Sequence, residues 1–168
     1  KDLVYTAGTL LLWAGGESGT WSAENVWTDG DAPASYEDGL AVSFADQAGV
    51  SNSVVQLDSE VSPSSMLVRN STTRYELTGT GEIADTAITK EGTGTLVLGT
   101  SSIFGEGTTA AVSQGVLAFG YDTALPGTGV TWEAGSFLGA ANGATVTVDL
   151  GAVANPVFSL SPDAGSSI

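Results

Sequence analysis

The chain has 168 residues, 19 Asp and Glu against four Lys and Arg, and a formal net charge of −15. So few cations cannot neutralise phosphates or settle on an anionic bilayer, which excludes nucleic acid and acidic membrane surfaces as partners. With no cysteine and no histidine, the chain has no disulfide framework, no zinc site of the thiolate or histidine type, no Ser-His-Asp triad and no Cys-His pair.

The length suits one domain, or one domain with an end cap, and is enough to bury a core unaided. No apolar run approaches the ~20 residues that span a bilayer, so insertion by this segment is not expected. The first residue is Lys1 rather than Met, which suggests a trimmed N-terminus and an export signal before it. The plain reading of the acidity is a solvated exterior that also discourages strand edges from pairing between molecules.

Residues 1–60 form a tryptophan-rich β region. Val4 and Leu10 to Trp13 read as strands, and Ala-Gly-Gly-Glu-Ser-Gly after Trp13 reads as a turn. A polar loop, Thr28 to Tyr36, leads to a strand over Leu40 to Phe44. Further strands are expected at Ser53 to Leu57, Ser65 to Val68 and Arg74 to Leu77, separated by Ser, Pro, Asn and Gly. No window keeps an apolar i, i+3, i+4, i+7 stripe free of glycine, so no helix of ordinary length is expected.

Residues 61–168 hold the most regular stretch. Between Ile88 and Gly120 two short apolar runs, Thr95 to Leu98 and Val116 to Phe119, are each entered through glycine: Gly92 and Gly94, then Gly115. Leu96, Leu98, Val116 and Phe119 are the inward-facing candidates, with Val112 and Leu117 sharing the same interior. The last strands fall at Val130 to Trp132, Ser136 to Leu138, Ala144 to Leu150 and Pro156 to Leu160. The ending Ser-Pro-Asp-Ala-Gly-Ser-Ser-Ile reads as an interrupted pattern, so the tail folds back or the natural chain continues.

Lys90, Gly92, Gly94, Thr95, Leu96 and Leu98, followed by Gly107, Thr108, Thr109, Val112, Gly115 and Leu117, resemble the autotransporter-associated β-strand repeat of bacterial surface and secreted passenger proteins. Ala124 to Val148 resembles the rung that commonly follows. Trp13, Trp21 and Trp27, with Ala32, Pro33, Asp38, Ala41, Val42 and Phe44, echo the usual upstream region. The resemblance implies an all-β fold, a right-handed parallel β-solenoid (β-helix) behind an N-terminal antiparallel cap. Periodicity alone also fits a β-sandwich or jelly roll.

The remaining chemistry belongs to carboxylates, hydroxyls and aromatics. Two carboxyls sharing a proton activate water in aspartic peptidases, and Asp85 and Asp122 each open an Asp-Thr-Ala triplet. Peptidases carry glycine at the third position, and the alternative is that both aspartates stabilise turns. One aspartate per chain suffices if a homodimer joins two half-sites.

Asp29 and Asp31, with Glu37 and Asp38, are hard oxygen ligands of the kind Ca2+ uses, although the EF-hand order and the β-roll repeat are both missing. Trp13, Trp21 and Trp27 are candidates for stacking on sugars, assisted by Trp132 and the tyrosines, or else they plug the core. No other cofactor is called for.

Three functions follow as expectations. The first is a structural or adhesive passenger segment, extracellular or on a bacterial surface, touching protein or glycan surfaces and able to self-associate. The second is an acid-acting aspartic-type peptidase on extracellular glycoproteins, and the third is a carbohydrate-binding module, which loses its motivation if the tryptophans are buried.

Overall fold

The computed structural model describes residues 9–47, 50–125, 129–149 and 157–168. The described residues hold strands and no helix. In chain order the strands are β1 (Leu10–Trp13), β2 (Trp27–Thr28), β3 (Pro33–Ala34), β4 (Ala41–Ala45), β5 (Val54–Leu57), β6 (Ser65–Arg69), β7 (Tyr75–Gly79) and β8 (Ala87–Glu91). They continue as β9 (Thr95–Leu98), β10 (Thr109–Val112), β11 (Gly115–Phe119), β12 (Thr123–Leu125), β13 (Val130–Trp132), β14 (Ser136–Ala140), β15 (Val146–Val148) and β16 (Ser159–Leu160).

From β4 to β11 successive strands alternate between two sheets. The first wall runs β13-β10-β8-β6-β4-β1-β2-β3, and the second runs β16-β14-β11-β9-β7-β5. A third, narrower wall is made by the bridges Val61 to Ile83 and Ile83 to Phe104 and by the β12–β15 pair. From β4 onward every pairing is parallel. The chain is therefore a β-solenoid of about five turns. On the second wall Val54, Glu76, Val97, Ala118 and Gly139 are stacked partners, a step of 21 or 22 residues per turn.

Antiparallel pairing occurs at the N-terminal end, where β1 pairs with β2 and β2 with β3, as the expected cap requires. The sheets do not break at residue 60: β4 pairs with β6 and β5 with β7 across it. The solenoid thus begins inside the segment read from sequence as a separate N-terminal region.

In-register parallel strands place partner residues directly above one another, one strand spacing of about 4.8 Å apart. Alternation then builds continuous apolar columns. The first wall supplies Leu11, Val42, Met66, Ile88, Ala110 and Val130. The second wall supplies Val55, Leu77, Leu98, Phe119 and Ala140, and beside it Tyr75, Leu96, Leu117, Leu138 and Leu160. Most of these are fully buried, whereas Leu160 ends its column half in water at 56% exposure. Each buried Leu or Val contributes about 1.5–3 kcal/mol over its exposed state.

Leu96, Leu98, Val112, Leu117 and Phe119 all lie in the core as expected. Val116 does not: it stacks on Thr95 and Phe137 and packs half-buried on the outside, with Val97, Ala118 and Ala141. Strand parity starting from Gly115 puts Leu117 and Phe119 inside and leaves Val116 on the opposite face. Polar side chains reach across this same outer face, Asn142 Nδ2 donating to Glu76 Oε1 at 3.0 Å and Arg74 pairing with Asp163 at 2.7 Å.

Strands β8 and β10 carry little sequence signal. β10 reads Thr-Ala-Ala-Val, and β8 has Lys90 at an inward position. Val4, Leu150 and Pro156, named in the expected strands, lie outside the described residues.

Candidate functional site

The tryptophans form a plug at the N-terminal end of the interior. Trp13, Trp21 and Trp27 are 0%, 1% and 0% exposed. Trp27 meets Trp13 edge-on at 4.9 Å and Trp21 at 4.8 Å, and Phe44 sits within 5.8 Å of all three. Two indoles are anchored by hydrogen bonds, Trp27 Nε1 to Trp21 O and Trp13 Nε1 to Asn52 O, both at 2.8 Å. None of these three indoles is open to a sugar, so the carbohydrate-binding reading loses the feature that motivated it. The β2–β3 hairpin extends the first wall beyond β1, and Trp27 of β2 packs there against Trp13, Trp21 and Tyr36. Trp132 is half-buried against Phe158 at 5.0 Å.

Asp29 and Asp31 lie in the exposed β2–β3 turn. Asp29 Oδ1 accepts from the backbone N–H groups of Asp31 and Ala32 at 3.1 and 3.0 Å. Those hydrogen bonds, from Ala32 first, hold its pKa below the usual carboxylate value. This is an aspartate closing its own turn. Asp38 Oδ1 takes hydrogen bonds from Tyr36 Oη and Ser62 N, both at 2.9 Å. Among the described residues no group of three or more acidic side chains is placed to hold a metal ion.

Asp85 and Asp122 are exposed and stand at different corners. Asp85 has φ +49° and follows the third-wall residue Ile83, with its N–H bonded to Glu106 O at 2.9 Å. It shares a groove with Glu60, Glu82 and Glu106. Asp122 comes between the second wall and β12, where its Oδ1 accepts from Thr145 N at 2.8 Å. The coil does not bring the two triplets together, and each aspartate serves a bend between strands.

The corner between the first and second walls carries a set of polar contacts that the sequence reading did not single out. After β4, Asp46 accepts from the N–H groups of Ser71, Thr72 and Thr73, one turn further on, at 2.5–3.2 Å. Slight burial works against the charge, but the Thr73, Ser71 and Thr72 hydrogen bonds prevail and hold the carboxyl far below its ordinary range. After β6, buried Asn70 donates from Nδ2 to Thr73 O at 2.5 Å and, one turn on, to Thr95 O at 2.8 Å.

In β8, Lys90 is 0% exposed and donates from Nζ to Glu91 O and Gly92 O at 2.8 Å and to Gln114 O at 3.3 Å. Burial pushes its pKa down to about 8, against the opposing pull of the Asp46 charge. Tyr75, donating to Ala45 O at 2.7 Å, is pushed up to about 12 by burial and then by Asp46. The available signal was parity: in Ala-Ile-Thr-Lys-Glu, an inward Ile88 forces Lys90 inward as well.

Among the described residues the outer side of the first wall carries few charges. Its central column runs Leu12, Ser43, Leu67, Thr89, Ala111 and Thr131, of which Ser43 is buried, Thr131 exposed and the others half-buried, and charge enters at its margin with the Arg69–Glu91 ion pair at 2.9 Å. No helix among the described residues is long and apolar enough to cross a membrane. The chain matches no protein-family model, no curated protein and no solved structure.

Proposed function

We propose that this chain is a structural or adhesive passenger segment, extracellular or displayed on a bacterial surface, that works by contact with protein or glycan surfaces. The observation that carries the reading is the division of labour in the coil. Apolar columns occupy the interior, corner contacts use up several of the polar side chains, and the outer side of the first wall presents few charges on a molecule of charge −15. Such a wall suits lateral contact, because approach there brings little like-charge repulsion or desolvation of ions. The resemblance of Lys90 to Leu117 to a passenger repeat agrees with it.

The test is binding of the purified chain to immobilised extracellular glycoproteins and to a glycan array, alongside peptide and glycan hydrolysis assays from pH 3 to 8. Saturable binding that falls in Thr89→Arg and Ala111→Glu, without turnover, is the expected result. Turnover that vanishes in Asp85→Asn or Asp122→Asn would establish the peptidase in its place.

A further inference from the structure

We propose that the corner between the first and second walls is a preformed cradle for a primary ammonium, filled from within the chain by Lys90, and that this contact sets the register between turn 87–98 and turn 109–119. Lys90 occupies a column that otherwise reads Phe44, Val68, Val112 and Trp132. A lysine there loses hydration unless its protons are met by acceptors. All three are met: Glu91 O and Gly92 O belong to its own turn, and Gln114 O to the next. An ammonium has three donors and no acceptor, so three converging carbonyls match it and no neutral apolar side chain.

The backbone is shaped around this group. Gly115 has φ +74°, and a Cβ there would lie 2.9 Å from Lys90 Nζ and 2.6 Å from Gly94 O. The same corner shows the same device one and two turns earlier. Asp46 reaches the amides of Ser71 to Thr73, and Asn70 reaches Thr95 O, each tying its turn to the following one. Apolar columns discriminate poorly between registers two residues apart, since the inward face stays inward. A side-chain head that fits one set of carbonyls does discriminate, which is the best-attested use of a buried polar group.

The test is residue-resolved hydrogen exchange on the whole chain carrying Lys90→Ala. The Gly94 and Val116 amides, which bond to Asn70 O and Gly94 O across this corner, are expected to exchange roughly tenfold faster or more, as when about one net hydrogen bond is lost. The Gln56 amide, bonded to Gly19 O at the far end, should keep its native rate. Added n-propylammonium, which replaces the deleted atoms, should restore protection, and tetramethylammonium, of equal charge but without N–H, should not.

Equal rescue by both cations, or unchanged exchange at Gly94 and Val116, overturns the proposal. If Lys90→Ala fails to fold, Lys90→Met decides, since it fills the space without donors: a native exchange pattern at the corner refutes the cradle, and fast exchange confined to it supports the cradle.

Discussion

Gly115 and Gly143 offer a controlled measurement of how tightly the corners stack. Both have left-handed backbone, φ +74° and +79°. A Cβ on Gly143 would meet nothing within 4 Å, whereas one on Gly115 would run into Gly92 O, Gly94 O and Lys90 Nζ. The left-handed conformation costs an alanine about 1–2 kcal/mol, partly offset by about 0.4–1 kcal/mol from the stiffer unfolded chain. Gly143→Ala should therefore lose between about 0 and ~1.6 kcal/mol.

Gly115→Ala carries the same strain and an overpacking term besides. The obstructing atoms include two backbone carbonyls that no rotamer change can move, so a further ~1–3 kcal/mol is expected. At roughly 2–4 °C per kcal/mol for a chain of this size, Gly115→Ala should melt several degrees below Gly143→Ala. Urea denaturation and thermal melts, followed by circular dichroism, measure the difference. Equal losses in the two variants would show that the turns are not in close contact at this corner and would refute the stacking argument.

Leu96→Ala and Leu117→Ala remove adjacent members of one inner column and should each lose about 2–5 kcal/mol in urea denaturation; losses under 1 kcal/mol would place these residues outside the core. Asp46→Asn tests the three-amide contact. Because the folded pKa lies below the unfolded value near 3.8, the unfolded chain protonates first as pH falls. The stability contributed by Asp46 is then complete above about pH 5 and lost below it, and the variant should show a shallower acid limb than the native chain.

Lys90 has the opposite window. With a folded pKa of about 8 against 10.5 unfolded, the unfolded chain holds more protons between those values, so stability should rise with pH there and fall as pH drops through 8. The rise is on the order of 1 kcal/mol or more. Urea midpoints at pH 7.5, 8.5 and 9.5 should show it in the native chain and not in Lys90→Met; an equal rise in both would assign it to other groups.

Local rules made much of the fold legible before any coordinates. Short strands with glycine entries, such as Gly94 before Leu96 and Leu98, specify alternation and bends from a few adjacent residues, and the coil's second wall follows from them. Burial of the tryptophans was open in the sequence because an aromatic ring fits a core and a binding face equally well; the packing of all three around Phe44 decided it. Parity within a strand is local, but where a strand begins is not. That is why Val116 was placed inside and the structure, starting the alternation at Gly115, turned it out.

Contacts between turns were decided by tertiary structure alone. Asp46, Asn70 and Lys90 each find a partner 20 or more residues away, at a corner whose amides and carbonyls converge only once parallel turns are stacked in register. Read along the chain, they are an acid, an amide and a lysine among turn residues, with no mark of what they will face. Composition alone sets the expectation that whole classes of partner are disfavoured, because charge and missing side chains act without regard to geometry. Which polar groups are spent on holding the coil depended on distances that no local pattern encodes.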